Sequence, residues 1–140
     1  MKNKPEIMHI LGIDYGASSV GLALADTETK MAFAYGKIKN DKNLLQKLSE
    51  IIKKENAQIS VIGIPSHINR KKAEYAGENL GNILEKTTKI KVFYQNEMFT
   101  TKIAQDNLIM RGIKGIKRFD DQEAARIILQ EWLDKTVLTG

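Results

Sequence analysis

The hydrophobic positions in the first third of the chain follow the pattern of β-strands. Met8 to Asp14 is apolar on both faces, which is typical of a central strand. Residues 20–25 alternate larger and smaller apolar side chains, and a polar turn at residues 26–30 leads to a third predicted strand, Met31 to Ile38. Three consecutive strands with short connections predict an antiparallel meander.

After residue 40 the hydrophobic spacing changes between helical and strand-like. The elements it predicts are a helix with an apolar stripe from Leu44 to Ile52, a strand at Ile59–Ile64 ended by Pro65, a helix with a stripe from Ala73 to Leu84, a strand at Ile90–Gln95, a helix capped by Thr100 that runs to about Met110, and a last helix at Asp121–Asp134. This order predicts an α/β fold, with a mixed five-stranded sheet, helices on both faces and right-handed parallel strand–helix–strand connections.

Length and composition narrow the class of protein. A chain of 140 residues without linkers or repeats predicts one domain, residues 1–140. The absence of cysteine excludes a disulfide framework and a thiolate metal site. No apolar run approaches the roughly 20 residues that span a bilayer, and the N-terminus is a poor signal peptide. We therefore expect a cytoplasmic protein with no membrane association.

The chain is basic, with 22 Lys and Arg against 17 Asp and Glu and a net charge of +5. A positive charge favours polyanionic partners such as nucleic acid, because phosphate neutralisation releases counterions. A lysine-rich composition without such a partner explains the same balance equally well. The charge is compatible with nucleic-acid binding and does not establish it.

Three carboxylates stand where a solvated surface would not require them. Asp14 closes the first strand, Glu97 follows the strand that ends at Gln95, and Asp121 opens the last helix. The carboxyl ends of central strands are the usual ligand position in such sheets. Carboxylates gathered in one interior place repel each other and lose hydration, so they need a cation. The pattern predicts a magnesium-dependent site.

Helix geometry separates Asp121 from its neighbour. At about 100° per residue, Asp121 shares a stripe with Ala125 and Trp132, which we expect to be core. Asp120 is rotated away and, with Glu123 three residues later, resembles a capping box. A first-turn acid that favours the helix dipole is the structural alternative for Asp121, and it does not explain the inward direction.

Asp14 has its own structural alternative, a turn aspartate that accepts backbone N–H bonds. In the functional alternative, Gly16 and the small residues after it, including Ser18, let a substrate phosphate approach the backbone. Two basic loops are candidates for phosphate contacts or are simply solvated, and their members are Arg70, Lys71 and Lys72, and Lys114, Lys117 and Arg118. Among the histidines, His9 is expected to be structural, whereas His67 lies in a loop that could approach the site.

The chain resembles the YqgF/RuvX family, RNase H-like proteins described as Holliday junction resolvases and pre-16S rRNA nucleases. Four blocks in order carry the resemblance, namely Leu11–Gly16 with Val20–Ala23, Val61–Pro65, Glu97–Ala104, and Asp121 with Ala124, Ala125 and Ile127–Asp134. It implies an RNase H-like fold with strand order 3-2-1-4-5. It also implies that Asp14, Glu97 and Asp121 are catalytic and hold Mg²⁺ or Mn²⁺, as two ions roughly 4 Å apart that activate water and stabilise the leaving oxygen.

The implied function is metal-dependent hydrolysis of nucleic-acid phosphodiesters, with the 5′ end of pre-16S rRNA as the first substrate. The alternative is resolution of four-way DNA junctions, which requires a two-fold homodimer rather than a monomer. Asn96 and Met98 stand where the family has Asp and Arg, and Ser18-Ser19 replaces a basic pair. These departures favour a third possibility, a catalytically weak RNA-binding ribosome-assembly factor.

Overall fold

Five strands form one sheet in the order β3-β2-β1-β4-β5. The computed structural model describes residues 7–65, 72–97 and 121–136, without the side chains of residues 65, 72–76, 97 and 121. Within these ranges the elements are β1 His9–Tyr15, β2 Ser19–Asp26, β3 Phe33–Lys39, α1 Leu44–Lys54, β4 Ala57–Pro65, α2 Lys72–Thr88, β5 Lys91–Glu97 and α3 Asp121–Lys135.

The strand pairing confirms the predicted fold class and strand order. β1 pairs antiparallel with β2, and β2 pairs antiparallel with β3, so the first three strands are a meander. β1 and β5 both run parallel to β4, which lies between them. The helix predicted from Thr100 and the basic loop at 112–118 lie outside the described residues. No helix in the described ranges is long and apolar enough to cross a membrane.

One face of the sheet is covered by α1 and α2. Leu11 and Ile13 of β1 are fully buried there, in one cluster with Leu48 of α1 and Leu84 of α2. The apolar stripe of α1 therefore packs in the core, as its helical spacing predicts. Among the apolar positions of α2 whose side chains are described, Ile83 does not face the core, because 46% of its surface is exposed.

The other face of the sheet is covered by α3. Ile10 of β1 and Val61 of β4 pack in one cluster with Leu129 and Trp132 of α3. The Trp132 ring is 5% exposed, and its centroid lies 5.4 Å from that of Phe93 on β5. Trp132 is thus a core residue, as predicted. Because helices cover both faces, β1 has to be apolar on both, which explains its continuous hydrophobic run.

A glycine on β1 allows α3 to lie very close to the sheet. A Cβ atom added at Gly12 would lie 2.9 Å from Cβ of Leu129 and 3.4 Å from the carbonyl oxygen of Ala125. Only a residue without a side chain fits this contact as it stands. Gly12 thereby fixes which part of α3 crosses β1.

Hydrogen bonds of Gln130, in the second half of α3, fix the direction of the helix. The Gln130 side chain accepts a bond from the backbone N–H of Ala32 at 2.8 Å and donates one to the carbonyl oxygen of Lys30 at 3.1 Å. Both partners lie between β2 and β3, beside the amino-terminal end of β1, since His9 pairs with Asp26. α3 consequently runs antiparallel to β1, and its first residue lies towards the carboxyl end of that strand.

Gln95 of β5 and Glu131 of α3 each bury a side-chain oxygen. Gln95 is 2% exposed, and its Oε1 has no hydrogen-bond partner among the described residues, like Oε1 of Glu131. Burial raises the pKa of the Glu131 carboxyl above 4.5, and an interaction with the Gln95 side chain only partly opposes this. The charged form of Glu131 therefore destabilises the folded state at neutral pH.

The contact at Gly12 predicts the effect of a single methyl group. Gly12→Ala should lower the free energy of unfolding by about 1–3 kcal/mol, because α3 must move away from β1 or strain its packing. Gly36→Ala is the matched control on β3, where an added Cβ meets nothing within 4 Å. Urea denaturation of both variants measures the difference, and an equal loss at the two positions would contradict the close contact.

The raised pKa of Glu131 predicts a pH-dependent gain in stability on substitution. Glu131→Gln should unfold at a higher temperature than the wild type at pH 7, where the wild-type carboxylate is charged. Because protonation of a group with a raised folded pKa stabilises the folded state, the gain should shrink as pH falls and disappear below about 4.5. Thermal unfolding between pH 4 and 8 tests this, and a pH-independent difference would refute it.

Candidate active site

Asp14 lies near the carboxyl end of β1, between two glycines of the neighbouring strands. It pairs with Gly21 of β2 on one side and with Gly63 of β4 on the other. It is half-buried, and it lies on the α3 face because β1 alternates and Gly12, two residues earlier, meets Leu129. The Asp14 carboxylate therefore has no neighbouring side chain on its own rung of β2 or β4.

Glu97 is the last residue of β5, so the strand extends two residues beyond its predicted end at Gln95. It pairs with Pro65, two residues beyond the Gly63 that pairs with Asp14. Phe93 of the same strand lies on the α3 face, against Trp132, and position 97 continues that series at every second residue. Asp14 and Glu97 thus occupy register positions on one face, at the carboxyl ends of parallel strands.

Asp121 is the first residue of α3. It precedes Ala125, whose carbonyl lies beside Gly12, by one helical turn, or about 6 Å. Asp14 lies beyond Gly12 in the same direction by two strand residues, or about 6.6 Å. The backbone of α3 therefore begins beside the carboxyl end of β1. The inward direction of the Asp121 side chain stays a prediction.

The structure brings the backbone positions of the three predicted carboxylates to one end of one sheet face. Only the Asp14 side chain among them is described, and the described residues contain no group of three His, Asp or Glu side chains that could hold a metal ion. The donor set itself is all carboxylate, and hard oxygen ligands of this kind suit a small divalent cation such as Mg²⁺ or Mn²⁺.

A constrained turn follows Asp14. A Cβ at Gly16 would lie 2.6 Å from the carbonyl oxygen of Ser19, so this turn requires glycine. The Asn40 side chain donates a hydrogen bond to the Gly16 carbonyl at 2.6 Å, and its backbone N–H donates one to the Ser18 carbonyl at 3.0 Å. The predicted phosphate-contact positions Gly16 and Ser18 are therefore held by a residue that follows β3.

Asn40 was not predicted from the sequence, although an asparagine beside a turn is a common sign of side-chain to backbone bonding. Gln95 is a second buried polar residue that sequence reasoning missed. It pairs with Gly63, so it occupies the same rung of the sheet as Asp14. Its only sequence signal was its position two residues before Glu97 on the strand.

The remaining predicted residues divide into two groups. His9 lies at the opposite end of β1 from Asp14 and is half-buried, which agrees with its expected structural role. Asn96, near the end of β5, is exposed. The side chains of the other candidates lie outside the described residues, and these are His67, Arg70, Lys71, Lys72, Lys114, Lys117, Arg118 and Asp120.

Comparison with known proteins gives the family. The model of the RuvX family, described as Holliday junction resolvase, matches residues 8–135. A protein from Wolbachia sp. subsp. Brugia malayi is 33% identical over 141 residues, covering 96% of this chain and 91% of its own length. A protein from Streptococcus uberis is 33% identical over 140 residues, covering 92% and 99%. Both carry the name "Putative pre-16S rRNA nuclease".

Solved structures give the same fold. RuvC of T. thermophilus, in complex with a Holliday junction substrate, aligns with a TM-score of 0.57 at 15% identity, over 90% of this chain and 93% of that one. Fowlpox virus resolvase, in complex with Holliday junction DNA, aligns with a TM-score of 0.59 at 13% identity, over 91% and 97%. These similarities confirm an RNase H-like, RuvC-like fold.

The family model and both relatives cover nearly the whole chain, including β1, β4, β5 and α3, which carry the candidate site. The predicted resemblance is therefore confirmed, and the protein belongs to the RuvX (YqgF) family of nucleases.

Proposed function

We propose that this protein is a metal-dependent endonuclease that processes the 5′ end of pre-16S rRNA. The observation that carries the proposal is the convergence of positions 14, 97 and 121 at one end of one sheet face. These positions come from separate elements, and their common property is a carboxylate. The names of the curated relatives support pre-16S rRNA as the substrate. A cytoplasmic location fits this function.

Asp14, Glu97 and Asp121 are the proposed ligands of Mg²⁺ or Mn²⁺, held as two ions. When bound, the ions would supply an activated water and stabilise charge on the leaving oxygen of the phosphodiester. The protein's own contribution would be the spacing of the backbone positions of the three acids, which the packing of α3 on Gly12 and the ladder of β4 would maintain. No nucleophilic side chain is required.

The surroundings of Asp14 support access by a nucleic-acid backbone. Gly21 and Gly63 leave the adjacent rungs of β2 and β4 without side chains. The turn at Gly16 and Ser18 presents backbone rather than large side chains next to the acid. Proposed further phosphate contacts are the basic residues predicted from the sequence, which are Arg70, Lys71, Lys114, Lys117 and Arg118.

A second candidate function is the resolution of four-way DNA junctions. The description of the family model favours it. Symmetric cleavage of two strands needs two active sites related by a two-fold axis, so this function goes with a homodimer. Cleavage of pre-16S rRNA is compatible with a monomer. The changed residues Asn96 and Met98 favour the third candidate, an assembly factor that binds RNA with little cleavage.

Substitution of one proposed metal ligand tests the mechanism. Asp14→Asn should reduce cleavage at least about 100-fold, because loss of an outer-shell partner alone typically costs 10–100-fold. Mn²⁺ should raise the unfolding temperature of the wild type and have a much smaller effect on the variant. Glu50→Gln, which removes an exposed carboxylate from α1, is the control and should behave like the wild type in both measurements.

Precursor 16S rRNA and a four-way DNA junction, each with Mg²⁺, Mn²⁺ or EDTA, distinguish the three functions. Preferential cleavage of the RNA supports the first function, and symmetric cleavage of the junction supports the second. Binding of RNA without cleavage supports the assembly factor. Cleavage that persists in EDTA or in Asp14→Asn would refute the metal-carboxylate mechanism.

A further inference from the structure

One rung of the sheet connects Asp14 to a lysine on the outer strand. Asp14 pairs with Gly21, and Gly21 pairs with Lys37 of β3. Directly paired residues project to the same face of a sheet, so Lys37 lies on the Asp14 face with a glycine between them. Two strand spacings separate the two Cα positions, or about 10 Å. A lysine side chain can cover much of that distance.

Lys39 occupies the next position of the same face, towards the active-site end. It pairs with Ser19, and its Cα lies about 7 Å from that of Lys37 along the strand. That spacing is comparable with the separation of successive phosphates in an extended polynucleotide strand. Asn40, the next residue, bonds to the turn after Asp14, which ties this end of β3 to the site.

Both lysines are exposed to solvent. Within the described part of the chain β3 is an edge strand, and no other described strand pairs with its outer side. Asp41, two residues after Lys39, forms a 3.6 Å ion pair with Lys47. The pKa of Asp41 is lowered first by a hydrogen bond from the backbone N–H of Asn43, and the charges of Lys47 and Lys39 contribute less.

We propose that Lys37 and Lys39 form a phosphate-binding pair that holds the strand to be cut beside Asp14. The contacted phosphates lie within one or two nucleotides of the scissile one, because the lysines lie two strands away from Asp14. Contacts to phosphate position a nucleic acid without reading its sequence, so the pair acts equally on every sequence. This inference rests on the proposed nuclease function and adds the path of the substrate across β2 to the edge of the sheet.

The salt dependence of binding tests the pair. Lys37→Gln and Lys39→Gln, each in the Asp14→Asn background, should lower the slope of log affinity against log salt by about 0.7 on single-stranded RNA or 0.9 on duplex DNA. Lys91→Gln is the matched control, since Lys91 is also an exposed lysine of an edge strand but lies at the opposite end of β5 from Glu97. It should leave the slope unchanged, and all variants should unfold at the same temperature.

A second measurement locates the contacts. Methylphosphonates that neutralise single phosphates are scanned along a short RNA and along one arm of a four-way junction. At the phosphate that Lys37 contacts, the neutral linkage should weaken binding to the parent protein and have no further effect on Lys37→Gln. If the neutral linkage and Lys37→Gln weaken binding independently, so that their effects multiply at every position, the direct contact is overturned.

The outcomes separate this inference from the function on which it rests. If neither nucleic acid binds, both fail. If binding is retained and Lys37→Gln, Lys39→Gln and Lys91→Gln give the same slope, the lysine pair is overturned and the nuclease function stands. If the two β3 variants alone lower the slope while cleavage is absent from the wild type, the pair is supported and catalysis is not.

Discussion

The contact between α3 and β1 at Gly12 is the constraint on which the rest of the arrangement depends. An added Cβ there would lie 2.9 Å from Leu129, so the absence of one side chain sets the distance between helix and sheet. The Gln130 hydrogen bonds set the direction of the helix. Together they determine where α3 begins, and Asp121 is its first residue. A packing requirement in the core thus controls the position of a proposed catalytic group.

The parallel part of the sheet supplies the second constraint. Parallel strands end at the same edge, so β1, β4 and β5 bring their last residues together without any loop having to do so. The meander of β1, β2 and β3 makes a different contribution. It extends the sheet outwards from Asp14 through Gly21, and Asn40, the residue after β3, bonds to the turn at Gly16. The parallel half of the sheet brings together the positions of the acids, and the antiparallel half extends the same face beside them.

Much of this arrangement was predictable from the sequence, because it follows from local periodicity. The apolar run of β1, the stripe of α1 and the position of Trp132 are properties of neighbouring residues, and each is confirmed. The acids Asp14, Glu97 and Asp121 could be selected because an acid at a strand end or on an apolar helix face departs from that periodicity. Ile83 shows the limit, since a helical stripe predicts a direction but not whether another element covers it.

The features that sequence reasoning missed depend on long-range register. Asn40 contacts a carbonyl 24 positions earlier, and Gln95 shares a rung with Asp14 only through β4. The sequence alone does not distinguish Lys37 from the other lysines, because its relation to Asp14 depends on two antiparallel ladders. No local pattern carries such relationships, because they depend on which residues of distant strands are paired. Candidate acids could be selected from residue types, whereas their surroundings required the register.

The outer strand has a consequence for solubility as well as for binding. The first half of β3 carries Phe33 and Tyr35, exposed at 59% and 36%, on an edge that pairs with no other strand among the described residues. Such an edge is a template for intermolecular pairing, and charged residues, lysine above all, discourage it. Lys37 and Lys39 therefore also act as gatekeepers against aggregation. Loss of these two charges would therefore favour pairing between copies of the chain as well as weaken the proposed phosphate contacts.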